Sequence, residues 1–340
     1  MRSSIFTSLV AAAALAATAI TAVAQDQKFE LKFSSWVPPS HGMHPAINQW
    51  LESIGKASGG SITGKLFPAQ QLGRAPDHYD MARDGIADVT FISVGIQTGR
   101  LPIAEGGNLF FLHNDGDAGS RAYDAWYRKY AAQEMKDVKF CFGFAHDPGS
   151  FFSKKAIRVP ADLKGVKVRS SNSQTSDLLT DIGAVNVNLA APEMRSGLES
   201  GVVDAVMGPW KSNILFGLDK VVSFATDMNL YTTSFAVLLN KAVYDKMSAG
   251  QKAVMDEHCS NTWAGVIGKT WGDYEASGRA ELAAKPGFTV VKLTDAELSQ
   301  WKLAAEGVKK RWLEAAKKAG IDADKAYADL EAEAKKAAGK

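Results

Sequence analysis

The chain has 340 residues, with 39 Lys and Arg against 37 Asp and Glu for a formal net charge of +2. A balance that close gives no case for a nucleic acid or an anionic membrane surface as partner, and two cysteines, Cys141 and Cys259, rule out a disulfide-built scaffold. A chain this long exceeds what one hydrophobic core organises, so two lobes are expected.

Residues 1–24 read as a secretory signal: Arg2, an apolar run from Ile5 to Val23, and Ala22-Val23-Ala24 before a cleavage point at Gln25. The rival reading is an uncleaved anchor, because the run is nearly long enough to span a bilayer. The Ala-x-Ala site favours removal and export. Phe29 to Ser35 alternates apolar and polar residues as a half-buried strand does, and Trp36-Val-Pro-Pro must leave it as a loop. Ile47, Trp50, Leu51 and Ile54 predict a helix over 43–58, stopped by Gly59-Gly60. A strand over 61–67, a helix over 75–85 and a strand over 86–93 complete three β-loop-α units and imply a mainly parallel sheet.

Residues 101–113 are irregular and apolar, 119–135 predict an amphipathic helix, and 138–144 a strand. The alternation then restarts: strand 166–169, helix 173–182, strand 185–189, helix 192–200, strand 203–207. A strand over 235–239 and one helix over 248–283, long enough to cross both lobes, follow. Residues 294–340 are helical and alanine-rich, with fraying expected from Lys335. Cys141 falls in an apolar strand and Cys259 in a helix, so two separate buried thiols are expected, although an oxidising compartment permits one bridge.

The segments Leu66-Phe-Pro-Ala-Gln-Gln-Leu-Gly73, Gly85-Ile-Ala-Asp-Val89, Pro160-Ala-Asp-Leu-Lys-Gly-Val-Lys-Val-Arg169, Pro192-Glu193 and Leu198-Glu-Ser-Gly-Val-Val-Asp204 make the chain, from about residue 27 to 320, resemble the solute receptors of tripartite ATP-independent periplasmic (TRAP) transporters, the DctP family. That resemblance implies an α/β, two-lobed periplasmic binding protein-like fold, with mixed sheets flanked by helices and a long helix spanning both lobes. The expected division is lobe I over 25–145 with 235–272, lobe II over 146–234 with 273–330, and a tail over 331–340. It further implies a receptor for a small carboxylate that delivers it to integral-membrane permease subunits; a periplasmic monomer with no cofactor, metal or nucleic acid is expected. The family's carboxylate-clamping arginine falls on Arg169. Two positions depart: an asparagine-proline pair common in the family is Gly208-Pro209 here, and a loop that carries an arginine in several sugar-acid binders reads His146-Asp147-Pro148-Gly149-Ser150.

Open α/β sheets bind ligands at the carboxyl ends of their strands. Arg169, at the tip of its strand, offers a planar fork to a carboxylate. Trp36, leaving the first strand into a proline-stiffened loop, is a candidate wall against core burial as the alternative. Ser93 opens the small polar stretch 93–98. Arg100 is a candidate second cation, with an interlobe salt bridge as its competing role. His146, Phe151 and Trp210 come from strand exits or their neighbours, and Ser234 and Phe235 face the cleft by family analogy. His41 and His44, three apart in a loop, are poor evidence for a metal pair; helix capping or surface exposure is expected of one of them.

One cation with aromatic walls suggests a monocarboxylate: a 2-oxo or 2-hydroxy acid, or an aromatic carboxylate. A four-carbon dicarboxylate needs Arg100 or His146 as a second clamp, and a sugar-acid receptor or a receptor for an ATP-driven importer shares the same capture physics. An enzyme is disfavoured, since no Gly-x-Ser-x-Gly, Gly-x-x-x-x-Gly-Lys-Ser/Thr or His-Glu-x-x-His motif occurs.

Overall fold

A computed structural model describes residues 27–97 and 99–339, so the expected signal and Thr98 lie outside the described residues. Strand β1 (Phe29–Ser34) buries Leu31 and Phe33 on one face. Helix α1 (His44–Ala57) turns Ile47, Trp50, Leu51 and Ile54 onto that face at the spacing read from the sequence. Then come β2 (Ile62–Phe67), a 3₁₀ turn and α2 (His78–Asp84), closed by left-handed Gly85 at φ 75°, and β3 (Val89–Ser93). Helix α3 (Gly116–Tyr127) starts earlier than predicted, because Asp115 caps it by accepting from the Ala118 amide at 2.7 Å. The chain breaks after Tyr127 and resumes as α4 (Ala131–Glu134) before β4 (Val138–Ala145).

The second lobe holds β5 (Ser150–Ser153), β6 (Lys167–Arg169), α5 (Ser173–Asp181), β7 (Val185–Val187), α6 (Met194–Glu199), β8 (Ala205–Gly208), α7 (Trp210–Leu215) and β9 (Phe224–Asp227). The chain returns through β10 (Ser234–Asn240), α8 (Lys241–Asp245), α9 (Ala249–His258) and α10 (Asn261–Ala284), then adds β11 (Thr289–Lys292), α11 (Asp295–Lys318) and α12 (Ala323–Ala337). One sheet runs β2-β1-β3-β10-β4 and the other β11-β9-β5-β8-β6-β7. In the first, β2, β1 and β3 are parallel and β10 is antiparallel to both β3 and β4. In the second, β8, β6 and β7 are parallel while β5 opposes β8 and β9. This is the two-lobed mixed α/β architecture expected.

The predicted helix over 248–283 is two helices. The chain leaves helical geometry at Cys259 (φ −92°, ψ 59°), and that break turns Cys259 toward β4, where it forms a disulfide with Cys141 at a Cα–Cα distance of 4.3 Å. The expectation of two separate thiols is therefore corrected. The 24 residues of α10 still span about 36 Å, packing on α3 and β4 of one lobe and α7 and β11 of the other. Gly268 and Gly278 make this close: a Cβ on Gly278 would lie 2.5 Å from the Cα of Lys211 in α7. Behind the sheets, Trp301 and Trp312 of α11 and Leu330 of α12 join a core that also takes Trp126 from the first lobe and Phe151 and Met207 from the second. Helix α12 runs on to Ala337, two residues past Lys335, where fraying was expected to begin.

Candidate functional site

The carboxyl ends of β1, β3, β6 and β8 converge on a cleft of about 630 Å³ between the sheets. Arg169 ends β6. Its Nε donates to the Leu189 carbonyl at 3.0 Å, and Nη1 donates to the Met207 carbonyl at 2.9 Å and to Ser171 Oγ at 3.1 Å. Ser171 Oγ spends its own proton on Met207 O, so it accepts from Arg169 and from the Tyr231 hydroxyl at 2.7 Å. Among the described residues no carboxylate pairs with Arg169 and Nη2 makes no hydrogen bond. Burial without an anion pulls its pKa below the ordinary arginine value. The fork is aimed by three pins and left half unspent.

Trp36 forms part of the opposite wall, tilted on Phe91 with centroids 5.3 Å apart. Its loop is braced by the Pro68-Ala-Gln-Gln segment. Ala69 and Gln70 both adopt left-handed backbone (φ 53° and 60°), and their amides reach the Val37 and Ser35 carbonyls at 2.9 and 3.1 Å. Such strain in two residues that carry a Cβ persists only where the surroundings hold it, and here it sets a cleft wall. Ser93, at the end of β3, lines the cleft with its buried Oγ unpartnered. Phe235 lies on the floor, stacked on Phe144 at 5.2 Å and against Trp271 at 5.1 Å.

His146 begins the first crossover between the sheets and also lines the cleft. Its Nδ1 donates to the Asp147 carbonyl and its Nε2 accepts the Thr233 amide at 3.1 Å, so the ring is neutral with its tautomer set. Burial lowers its pKa to about 4. It cannot serve as a second cationic clamp near neutral pH. His41 reaches across the cleft to Ser212 Oγ at 3.2 Å. Ser212 donates to Glu275, so His41 Nε2 is the donor to Ser212, and burial pulls His41 down to about 3. Glu275, wholly buried on α10, accepts from the Lys211 and Ser212 amides at 2.6 and 3.0 Å and from Trp271 Nε1 at 2.7 Å; desolvation still pushes it up to about 7. His44 is buried on Ser35 Oγ at 2.9 Å and the Pro39 carbonyl at 3.1 Å. Neither histidine is at the surface, contrary to the surface alternative.

Arg169, Trp36, Ser93, His146 and Phe235 thus share the cleft, and four other candidates do not. Phe151 points from β5 into the rear core, 5.3 Å from Trp301. Trp210 is the first residue of α7, which turns it behind the cleft against Phe152 at 5.4 Å and beneath the Arg279 guanidinium at 4.9 Å. Ser234 precedes Phe235 on β10, so the two-residue period points it away, toward Gly107. Arg100 pairs with Asp80 at 3.0 Å and lies 4.4 Å over the Tyr79 ring, a bridge within the first lobe and not between lobes. Sequence reasoning passed over Arg74, Ser212, Asn213, Thr233 and Trp271, all on the cleft wall. Pro209, the N-cap of α7, is the local sign of a helix start here, and it does not by itself mark Asn213.

Among the described residues no group of three or more His, Cys, Asp or Glu could hold a metal ion, and no helix is long and apolar enough to cross a membrane. Residues 33–318 match the model for the bacterial extracellular solute-binding proteins, family 7. Among solved structures the fold is similar, at a TM-score of 0.85, 31% identity and coverage of 90% of this chain and 99% of the other, to a TRAP periplasmic solute-binding protein from Bordetella bronchiseptica with bound (R)- and (S)-mandelate. It is equally similar, at 0.85 and 29% identity over 91% and 98%, to a TRAP solute-binding protein from Rhodoferax ferrireducens with copurified benzoate. The C4-dicarboxylate-binding periplasmic protein of Rhodobacter capsulatus is 24% identical over 303 residues, 86% of this chain and 89% of that one. The chain belongs to the family 7 extracellular solute-binding proteins, the DctP family of TRAP solute receptors, a family of receptors and not of enzymes.

Proposed function

We propose that the cleft captures a small monocarboxylate with an aromatic or otherwise apolar body, Arg169 clamping its carboxylate, and that the protein hands it in the periplasm, as a monomer, to the membrane subunits of a TRAP permease. The observation that carries this is Arg169 itself: pinned on one side by Leu189, Met207 and Ser171, free at Nη2, and without an acidic partner among the described residues. Trp36, Phe235 and Trp271 supply apolar wall that selects by shape. A half-buried guanidinium lacking its anion has given up part of its hydration without an ion pair in return, so closure is favoured once the anion arrives. The mandelate and benzoate held by two similar receptors support an aromatic acid.

A four-carbon dicarboxylate is the second reading, and Arg74 on the cleft wall is what favours it; Arg100 and His146 do not, being spent elsewhere. Calorimetry with benzoate, mandelate and phenylacetate against succinate, malate and glucuronate tests both. Micromolar or tighter binding of an aromatic acid is expected. Nanomolar succinate or malate with no aromatic binding overturns the monocarboxylate reading.

A further inference from the structure

Asn213 is the polar side chain on the cleft wall whose needs are least met. It is 1% exposed, and neither Nδ2 nor Oδ1 has a partner among the described residues. The observation is indifferent to which way the amide is drawn, since both ends lack a bond. A buried amide so placed forfeits a donor and an acceptor at once, at a cost of about 1–3 kcal/mol for each group left unmet.

Its position gives the reason. The amide lies directly over Gly208, at the end of β8: a Cβ built on Gly208 would come within 2.8 Å of Nδ2 and 2.9 Å of Cγ. The neighbouring Met207 carbonyl is the one that pins Arg169 Nη1. Met207 and Gly208, consecutive at one strand end, thus meet the guanidinium and the amide respectively, and both side chains line the same cleft. Arg169 has N–H groups to offer and no acceptor. Asn213 adds what the guanidinium lacks, an acceptor, next to a further donor.

We propose that Asn213 reads a hydroxyl on the carbon beside the carboxylate, so that the ligand class is 2-hydroxy acids with an apolar or aromatic body. The hydroxyl donates to Oδ1 while Nδ2 donates to the hydroxyl or the near carboxylate oxygen. A ligand without that hydroxyl leaves the acceptor empty, and a site built to bond a hydroxyl rejects the analogue that lacks it. This rests on the Arg169–carboxylate reading and narrows it.

The test is calorimetry with mandelate and phenylacetate, which differ by that one hydroxyl, on the intact protein and on Asn213→Ala and Asn213→Leu. Leucine refills the volume without polar atoms, which separates the lost hydrogen bond from a cavity, and melting curves check that both variants fold. The wild-type protein is expected to prefer mandelate at least tenfold. Both variants are expected to lose 10- to 100-fold for mandelate and less than threefold for phenylacetate, erasing the preference. Equal affinity of the wild type for the two acids, or variants that keep the preference, overturns the role of Asn213 while leaving the Arg169 clamp standing. Failure of the wild type to bind either acid at millimolar concentration overturns the clamp reading and this one together.

Discussion

Removing the Cys141–Cys259 bridge is expected to destabilise the fold by several kcal/mol. The two cysteines are separated by 118 residues. The closed loop holds the whole excursion through β5 to β9, leaving from β4 and returning through β10 to the end of α9. In the chain-entropy account, closing a loop of that length removes about 16 cal/mol/K from the unfolded chain, or about 4.9 kcal/mol at 25 °C. Residual structure in the unfolded state lowers this toward the usual 2–4 kcal/mol. The sulfurs sit beside the apolar cluster of Trp50 and Phe142, so a Cys141→Ala/Cys259→Ala variant loses roughly 1 kcal/mol more in packing. Urea titration followed by tryptophan fluorescence, on oxidised wild type, reduced wild type and the double variant, should show both perturbed forms about 3–5 kcal/mol less stable. Ligand affinity should change less than threefold, because both cysteines lie within the first lobe, away from the cleft wall. A double variant within 1 kcal/mol of the oxidised protein, or two reactive thiols in the denatured unreduced chain, refutes the reasoning.

Three other perturbations address the site and its supports. Arg169→Lys replaces a pinned fork by a point charge, and affinity for the bound acid should fall at least 30-fold, as expected for truncating one side of a buried charge pair at about 2–5 kcal/mol; a change under threefold by calorimetry refutes the clamp. Glu275→Gln sets an NH₂ against N–H donors from Lys211 and Ser212 or from Trp271, and should cost about 1–3 kcal/mol at pH 8; equal melting temperatures would refute it. His113 is buried with Nε2 unpartnered, and burial lowers its pKa from 6.5 to about 4. Below pH 6.5 the unfolded chain therefore binds a proton the folded one refuses, so this contribution to stability is full above pH 6.5 and is lost as pH falls to 4, by roughly 3 kcal/mol. His113→Leu should flatten that decline relative to wild type, and parallel melting-temperature curves from pH 7 to 4.5 would count against it.

Where a periodic pattern ran for a full element, the chain was readable. The alternation of Leu31 and Phe33 and the spacing of Ile47, Trp50 and Ile54 identify β1 and α1, because each buries one face against a single core. Four-residue strands such as β5, β9 and β11 carry too few alternations to register, and their pairing is set by partners far away in the chain. The same limit governed the site. Arg169 was legible from its strand tip and from the family resemblance. Phe151 lies on β5, where one residue of register decides between cleft and core, whereas Trp210 opens α7, a helix the sequence reading did not foresee, and is turned to the core by it. Asn213 sits on a six-residue helix with no period to read. The disulfide depended on a helix break at Cys259 that propensity did not announce.

Of the three crossings between the sheets, the two short ones at 146–149 and 228–233 are bonded to each other, and α10 makes the third. His146 takes the Thr233 amide at 3.1 Å, and Gly149 donates to the Tyr231 carbonyl at 2.8 Å. At the rear, the tryptophans of α11 are embedded in both halves at once. Bonded ribbons on one side and a shared aromatic core on the other oppose independent movement of either short crossing.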